Sequence, residues 1–240
     1  MDPRLQRYRD AWSARPTLRA VYGDYHRRLL GACVPGRTLE IGGGGGGLKE
    51  AAPAVVATDI LPAPWLDLVA DAHALPFAAA SFANIVMIDV LHHLARPRRF
   101  LAEVERVLSP GGRLILLEPA ATPVSRLVYA LAHDEPIDLA ADPLALTDPP
   151  PPRDPYVGNQ AIATLLFVRQ RARLEALFPA LELRELAYTS LFAYPLSGGY
   201  RSPCLLPAGW VAPLLRLEDR LAPSLGWLLA FRLFVVVARR

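Results

Sequence analysis

The sequence predicts an α/β protein built on a doubly wound, mostly parallel sheet. Between residues 38 and 118, short β-branched runs alternate with segments that suit helices or loops. A run of six glycines at residues 42–47 stands where the first such run passes into a helix-forming segment. Apolar residues make up 52% of the 240 residues and charged residues 20%, which excludes a disordered chain and supplies a large buried core.

Seven runs have the composition of strands. They cover residues 38–41, 55–59, 66–70, 85–89, 113–118, 181–188 and 231–238. Apolar residues at helical spacing predict a helix over residues 97–108. The sequence Ser109-Pro-Gly-Gly should end that helix in a turn, because proline and glycine do not continue a helix. Residues 1–36 and 159–178 also have helical patterns.

Charge and cysteine content limit which binding partners and which cellular compartment are expected. The net charge is only +3, and the arginines are scattered, whereas nucleic-acid binders concentrate positive charge on one face. We therefore predict a small-molecule substrate and no nucleic-acid partner. Cys33 and Cys204 provide neither a disulfide framework nor metal-ligand spacing, so a cytoplasmic protein without a metal is expected. The first residues lack the apolar core of a signal peptide, and the apolar tail at 225–238, interrupted by Arg232, is too short to span a membrane.

The glycine run admits three ligand interpretations. A phosphate-binding P-loop requires a lysine and then Ser or Thr directly after the last glycine, but Lys49 stands one residue too late and no hydroxyl residue follows it. A dinucleotide fold requires Gly-x-Gly-x-x-Gly and an acidic residue about 20 positions further on. Gly42, Gly44, Gly47 and Asp59 satisfy that pattern formally. The third interpretation places S-adenosylmethionine (SAM) in the same crevice.

Glu40 favours the third interpretation. Its carboxylate stands at the end of the first strand, directly before the glycines. A pyrophosphate there would meet like-charge repulsion, whereas the ammonium and sulfonium groups of SAM would be attracted. Asp59, at the end of the second strand, is able to bind ribose hydroxyls in both interpretations and does not separate them.

Five segments follow one another between residues 38 and 119. They read Thr38-Leu-Glu-Ile-Gly-Gly-Gly-Gly-Gly, Val55-Val-Ala-Thr-Asp-Ile, Asp71-Ala-His-Ala-Leu-Pro-Phe, Ile88-Asp-Val-Leu-His-His-Leu and Leu108-Ser-Pro-Gly-Gly-Arg-Leu-Ile-Leu-Leu-Glu-Pro. In order and separation they resemble the motifs of class I SAM-dependent methyltransferases. One departure from the family pattern, Phe82-Ala-Asn84 in place of Phe-Asp, touches only the entrance of the fourth strand.

The resemblance implies how the methionine and ribose parts of SAM are held. Glu40 and the glycine turn, through Gly42 and Gly44, would hold the methionine end. Asp59 would accept hydrogen bonds from the ribose hydroxyls. Glycines at this turn let the backbone approach a ligand closely, because they have no side chain.

The resemblance also implies an adenine site. Ile60 would pack beside the adenine, and Asp71 would accept a hydrogen bond from its amino group. The backbone of Ala72 would face the ring, and Ile88 would meet the cofactor through its backbone at the end of the fourth strand.

The family fold implies a seven-stranded, mostly parallel sheet with an antiparallel last strand and helices on both faces. We expect a single methyltransferase domain over residues 1–240. Its expected parts are a helical N-terminal cap (1–36), a SAM-binding core (37–118), substrate-side insertions (119–160 and 189–210) and the rest of the sheet and helices (161–188 and 211–240).

Methyl transfer is a direct displacement that requires neither a metal nor a covalent intermediate, but an oxygen nucleophile also needs a base. Histidine is the usual base near neutral pH. His93, which follows the fourth strand beside His92, and His133, close to Glu135 and Asp138, are the candidates. Four further residues are candidates to line the acceptor pocket: Tyr156, Asn159, Tyr194 and Tyr200.

The predicted function is transfer of a methyl group from SAM to a small or medium-sized metabolite, with oxygen as the expected acceptor and nitrogen or carbon also possible. Two competing hypotheses are a NAD(P)-dependent reductase and a non-catalytic SAM-binding partner protein.

The segment Asp148-Pro-Pro-Pro is similar to a signature of nucleic-acid amino methyltransferases, but it lies far from the fourth strand and does not support that function. The apolar stretches 205–217 and 225–238 are assigned to the core, with peripheral membrane contact left open. The sequence does not fix the oligomeric state.

Overall fold

The computed structural model describes residues 2–132, 135–146, 154–200 and 203–240. In these residues seven strands form one sheet of order β3-β2-β1-β4-β5-β7-β6. The strands are β1 (Thr38–Ile41), β2 (Val56–Asp59), β3 (Leu68–Val69), β4 (Phe82–Ile88), β5 (Leu108–Pro119), β6 (Leu181–Thr189) and β7 (Arg232–Arg239). Only β7 pairs antiparallel with its two neighbours, β5 and β6. The predicted fold, including its antiparallel last strand, is confirmed.

Helices connect the strands. They are α1 (Pro3–Ala14), α2 (Pro16–Gly31), α3 (Gly47–Ala51), α4 (Pro97–Val107), α5 (Pro123–Ala132), α6 (Ile162–Thr164), α7 (Arg171–Leu177), α8 (Ala193–Ser197) and α9 (Ala208–Leu229), with a 3-10 turn at Leu91–His93 and a π-helical turn at Leu165–Arg169. Side chains of β4 and β5 alternate between two clusters. Ile85 and Leu114 pack with α4 and α7, whereas Val86 and Ile115 pack with α2 and α9. Both faces of the sheet are therefore covered by helices.

Two predicted elements differ from the structure. The turn expected at Ser109-Pro-Gly-Gly lies inside β5 as an irregularity, with Gly111 at φ 77°, where pairing with β4 shifts register. The helix predicted over residues 159–178 is interrupted because the N–H of Gln170 bonds five residues back, to the Leu165 carbonyl at 2.7 Å. Apolar spacing indicates which face of a segment is buried, but it does not detect one wide turn.

The assignment of the two apolar stretches near the C-terminus to the core is only partly correct. In α9, Val211 and Leu215 are buried, whereas Trp210 and Trp227 are 66% and 59% exposed. β7 is buried almost throughout. A helix on one face of a sheet buries only one side, so apolar content overestimates its burial. Across the described ranges, no helix combines the length and the apolar character needed to cross a bilayer.

The strand order fixes where a ligand is expected to bind. The chain runs β1, β2, β3 to one side and then returns to place β4 on the other side of β1, so the connections diverge between β1 and β4. Ligands bind beyond the carboxyl ends of strands at such a point. Because β7 is antiparallel, its first residue, Arg232, pairs with Pro119 at the end of β5. The start of β7 therefore lies at the ligand-binding edge.

Candidate functional site

One cavity of about 630 Å³ lies at this edge of the sheet. It is lined by all eight residues predicted to bind the cofactor, namely Glu40, Gly42, Gly44, Asp59, Ile60, Asp71, Ala72 and Ile88. His93 lines it as well. The other predicted base, His133, and the segment beginning at Asp148 lie outside the described residues. A volume of this size is within the usual range of small-molecule sites.

The glycine turn after β1 is tightly packed. Gly42 has φ 77°, and a Cβ added there would lie 2.1 Å from Cγ2 of Val90. The N–H of Gly43 bonds to the Thr58 carbonyl at 2.8 Å, and the N–H of Gly44 donates to Asp59 Oδ2 at 3.0 Å. The turn is thus fixed against β2, and at Gly42 glycine is required both for the backbone conformation and for space.

Glu40 lies under this turn and is 7% exposed. Its Oε2 is buried and has no hydrogen-bond partner among the described residues. Burial, reinforced by the nearby Asp59 carboxylate, raises the pKa of Glu40 to about 8. A buried carboxylate with an unused oxygen fits a cationic group on a ligand, which would supply the missing donor and the missing charge.

Two further carboxylates stand along the cavity. Asp59 Oδ1 accepts from the N–H of Leu61 at 3.0 Å, and burial raises the pKa of Asp59. Each carboxylate oxygen has a second lone pair, so Asp59 is still able to accept from ligand hydroxyls. Asp71 Oδ1 accepts from both the backbone and the ring of His73, at 2.8 and 2.7 Å, which leaves Oδ2 for a ligand donor. Ile60 also lines the cavity, is 46% exposed and offers an apolar surface there.

Aromatic residues form a second group in the lining of the cavity. Three of the four residues predicted to line an acceptor pocket do line the cavity, namely Tyr156, Tyr194 and Tyr200. The fourth, Asn159, instead exchanges hydrogen bonds with the backbone of Asp138. The remaining aromatic lining residues are Tyr8, Tyr22, Tyr129 and Phe231. We call this part the tyrosine chamber.

Helix α1 covers the chamber. The ring of Tyr8 lies 5.0 Å from that of Tyr200 and 6.1 Å from that of Tyr156. Arg4 pairs with Asp154 at 2.8 Å and stacks over Tyr156 at 4.1 Å. This pair is solvent-exposed, so it contributes little to stability and serves mainly to define how the helix and the segment after residue 153 meet.

His92 is a buried member of an ion-pair network. Its Nδ1 bonds to Glu118 Oε2 at 2.7 Å, and its Nε2 lies 3.5 Å from Glu135. Burial is the largest single influence and by itself would lower the pKa of His92, but the charge and hydrogen bond of Glu118, the hydrogen bond of Glu135 and the charge of Asp89 together raise it to about 9. Glu118 also accepts the backbone N–H groups of Val90 and Leu91, at 2.7 Å each. Glu118, at the end of β5, therefore fixes the turn that follows β4.

Three residues here form a possible metal-ligand set. His92, His93 and Glu135 each offer a ligand atom, and these atoms lie within 4.8 Å of one another. Two imidazoles and a carboxylate suit a divalent transition metal. The His92 ring lies between two carboxylates, with Nδ1 2.7 Å from Glu118 and Nε2 3.5 Å from Glu135, and these groups raise its pKa, which favours a protonated ring. We therefore interpret this group as an ion-pair network.

Asp89 and Arg232 form a second charged pair that the sequence analysis did not single out. Asp89 directly follows β4 at φ 57°, lines the cavity and retains 24% side-chain exposure there. Its Oδ2 accepts from the Tyr22 hydroxyl and from Arg232 Nη2, at 3.1 Å each. Arg232 is 2% exposed, and its guanidinium lies 4.0 Å from the ring centre of Tyr194. One signal was available, because Arg232 is the single charge that interrupts the apolar tail.

Comparison with known proteins adds to this geometry. A family model described as a methyltransferase domain matches residues 39–116. A demethylmenaquinone methyltransferase of Deinococcus radiodurans is 36% identical over 120 residues, covering 40% of this chain and 49% of that protein. A probable phthiotriol/phenolphthiotriol dimycocerosates methyltransferase of Mycobacterium ulcerans is 37% identical over 107 residues, covering 37% and 42%. The chain thus spans half or less of the length of these curated relatives.

Solved structures show the same architecture. A SAM-dependent methyltransferase of Thermotoga maritima, described as a possible histamine N-methyltransferase, has a TM-score of 0.53 at 14% identity and covers 93% of this chain and 91% of its own. A geranyl diphosphate methyltransferase in complex with SAM has a TM-score of 0.50 at 15% identity, covering 92% and 85%. At such identities the likeness shows the fold alone.

Proposed function

Because this chain belongs to the class I SAM-dependent methyltransferases, we propose that it transfers a methyl group from SAM to an oxygen atom of a small or medium-sized metabolite. One observation carries the proposal. A single cavity joins the carboxylates and the glycine turn expected to bind SAM to a chamber of aromatic side chains with room for an acceptor. A donor and an acceptor held in one enclosed space satisfy the main requirement of a direct displacement, which is alignment without competing water.

In this proposal the buried carboxylate of Glu40 binds the ammonium group of the cofactor, since Oε2 needs a donor that the described residues do not supply. The backbone at Gly42 and Gly44 lies against the methionine part, and Asp59 accepts from the ribose hydroxyls. When bound, SAM supplies a methyl carbon activated by its positively charged sulfur.

The adenine site is proposed at the other end of the same cavity. Asp71 accepts from the adenine amino group through Oδ2, and Ile60 packs against the ring. The backbone of Ala72 and that of Ile88 border the same ligand. Ala72 and Ile60 both line the cavity, and the exposure of Ile60 leaves an apolar surface for the ring, which supports this arrangement.

Oxygen is the proposed acceptor atom because ionisable groups surround the chamber. Loss of a hydroxyl proton requires a base, and His93 lies on the cavity wall, with its ring 4.0 Å from that of His92. His93 stays a predicted base, as does His133 outside the described residues. Carbon is the second candidate, because a relative that is 44% identical over 59 residues is named as a ubiquinone/menaquinone biosynthesis C-methyltransferase.

The test has two steps. The first is calorimetric titration of the protein with SAM, for which we expect saturable binding; absence of binding at millimolar ligand would contradict the proposal. The second is incubation with SAM carrying a deuterated methyl group and a panel of alcohols, phenols, amines and carbon acids. Mass spectrometry then shows which acceptor gains the label, and NMR shows at which atom.

The two competing hypotheses give different results in the same experiments. A reductase would oxidise NADPH with a carbonyl substrate and would not bind SAM, whereas a non-catalytic partner protein would bind SAM without transferring the label. A small-molecule substrate rather than a nucleic acid, and a cytoplasmic location, complete the proposal. The two cysteines, Cys33 and Cys204, are free, which suits a reducing compartment.

A further inference from the structure

Asp89 and Arg232 line the tyrosine chamber and leave polar atoms unused. Asp89 Oδ1 and Arg232 Nε are both buried and have no hydrogen-bond partner in the described ranges. Buried polar atoms cost free energy when they are unpaired, and both atoms belong to side chains that line the cavity, so they indicate groups that a bound ligand would complete. The cofactor-binding residues proposed above include neither of these side chains.

We propose that Asp89 and Arg232 form the acceptor subsite, which binds an aromatic alcohol through its hydroxyl group, and that Asp89 receives the hydroxyl proton. This inference rests on the proposed methyl transfer and names its substrate class. As the oxygen–methyl bond forms, the sulfur–methyl bond breaks and its electron pair returns to sulfur, while the O–H proton moves to Asp89. The products are an aryl methyl ether, S-adenosylhomocysteine and a protonated carboxyl group.

The unpaired atoms of Asp89 and Arg232 favour a hydroxyl group over other polar groups on the acceptor. Oδ2 of Asp89 is already used by two donors, Tyr22 and Arg232, so Oδ1 is the oxygen left to accept. Arg232 Nε is a donor, and only a ligand group that both donates and accepts satisfies both atoms. A carboxylate would be repelled by Asp89, and an ammonium group by Arg232. A neutral O–H group meets neither repulsion.

The aromatic side chains of the tyrosine chamber favour an acceptor with an aromatic ring over one with a flexible aliphatic chain. Tyr22 and Tyr200 meet edge to face at 5.2 Å, and Tyr129 and Phe231 do so at 5.7 Å. Aromatic pairs prefer such edge-to-face and offset arrangements, so a flat ring gains more here than a flexible chain of equal area. Tyr194, held over Arg232, adds a ring beside the charged pair.

The position of Asp89 fits the proton transfer. It follows Ile88, the residue whose backbone is expected to border the cofactor, and so lies next to the carboxyl end of β4. Burial raises the pKa of Asp89, which makes it a stronger proton acceptor than an exposed aspartate. The other groups that face it are Arg232, His92, Glu118 and Tyr22, and of these the first two lower its pKa by their charge.

The test uses 2-naphthol as the probe and the Asp89→Asn variant. Asparagine accepts the backbone conformation at φ 57° and has nearly the same shape, so it removes the charge and the basicity of this side chain. We expect Asp89→Asn to bind S-adenosylhomocysteine as the wild type does, to bind 2-naphthol at least tenfold more weakly by fluorescence titration, and to methylate it at least a hundredfold more slowly. The matched control is Asp219→Asn, an exposed aspartate that pairs with Arg28, which should change none of these values.

Asp89→Asn leaves the buried Arg232 without its charge partner, and this loss could destabilise the fold. A second variant therefore provides a test that does not depend on the stability of the first. The double variant Asp89→Asn/Arg232→Met removes both charges, and such replacements of buried pairs by apolar groups are often tolerated. It should fold, bind S-adenosylhomocysteine and fail to bind 2-naphthol. Wild-type methylation by either variant, or no binding of 2-naphthol by the wild type while cyclohexanol binds, would overturn the inference.

The outcomes separate this inference from the proposed function. If the wild type does not bind SAM, the methyltransferase proposal fails. If it binds SAM and methylates 2-naphthol but the rate falls only in His93→Gln and not in Asp89→Asn, the proton goes to His93 and the subsite assignment fails. A lowered rate in Asp89→Asn with an unchanged pH profile would indicate that Asp89 only positions the acceptor, and would overturn its role as proton acceptor.

Discussion

The imidazole of His92 bonds to Glu118 at 2.7 Å, and both side chains are buried at the carboxyl end of the sheet. The pair joins the turn after β4 to the end of β5. Because Asp89 lies in this turn and Gly42 packs against Val90 in it, the charge state of His92 bears on the stability of the site.

The first prediction concerns pH. The folded-state pKa of His92 is raised to about 9, whereas an unfolded histidine titrates at about 6.5. The folded protein therefore binds more protons between these values, so the free energy of unfolding should fall as pH rises from about 6.5 to 9, by up to about 1.4 kcal/mol per pH unit for one proton. Urea unfolding at several pH values measures the slope. A His92→Gln variant should have a shallower slope in this window, and an identical slope would contradict the assignment.

The second prediction concerns Glu40. Its pKa of about 8 means that it is largely protonated in the free protein at neutral pH, and a bound cation should lower that pKa. SAM binding should therefore release a proton below pH 8 and become stronger as pH rises towards 8. Calorimetry in two buffers of different ionisation enthalpy counts the protons. Glu40→Gln should lose the proton release and bind SAM about tenfold to a hundredfold more weakly, whereas the control Glu185→Gln, at an exposed residue, should do neither. The same proton count in Glu40→Gln as in the wild type would rule out this role.

The third prediction concerns Asp59. Replacing Asp59 by alanine removes the acceptor proposed for the ribose hydroxyls, and we expect SAM binding to weaken by about 1.5–3 kcal/mol for each hydrogen bond lost. The change to alanine also removes the hydrogen-bond acceptor of the Gly44 N–H. The matched variant is therefore Asp59→Asn, which keeps one acceptor oxygen, and its affinity for SAM should lie between those of the wild type and Asp59→Ala. Equal affinity in the wild type and in Asp59→Ala, measured by titration, would show that the ribose binds elsewhere.

The sequence predicted all seven strands, although β4 and β5 begin three and five residues earlier than predicted, and the motifs placed eight residues that line one cavity. Their roles in binding remain predictions. The Asp89–Arg232 pair was not predicted, since the two residues lie 143 positions apart and meet only because β7 returns antiparallel. Local spacing carries no information about such a contact. For the same reason, the burial of Glu118 against His92 could be seen only after the fold was known.

The last prediction separates backbone strain from steric fit in the glycine turn. Gly42 and Gly111 share a φ of 77°, a conformation that costs an alanine about 1–2 kcal/mol at either position. A Cβ at Gly111 meets nothing within 4 Å, whereas a Cβ at Gly42 would lie 2.1 Å from Val90. Gly42→Ala should therefore lower the free energy of unfolding by about 1–3 kcal/mol more than Gly111→Ala, since overpacking adds to the strain.

Adding Val90→Ala to Gly42→Ala removes the clashing methyl groups and should recover part of the difference. Urea unfolding of the single variants, Val90→Ala and the double variant gives the interaction energy between the two positions. SAM titration of the same variants shows whether cofactor binding also depends on the backbone conformation of the glycine turn. If it does, Gly42→Ala should bind SAM more weakly, whereas Gly111→Ala, which lies outside the turn, should bind it as the wild type does. Additive effects of Gly42→Ala and Val90→Ala would mean that Val90 does not confine the turn.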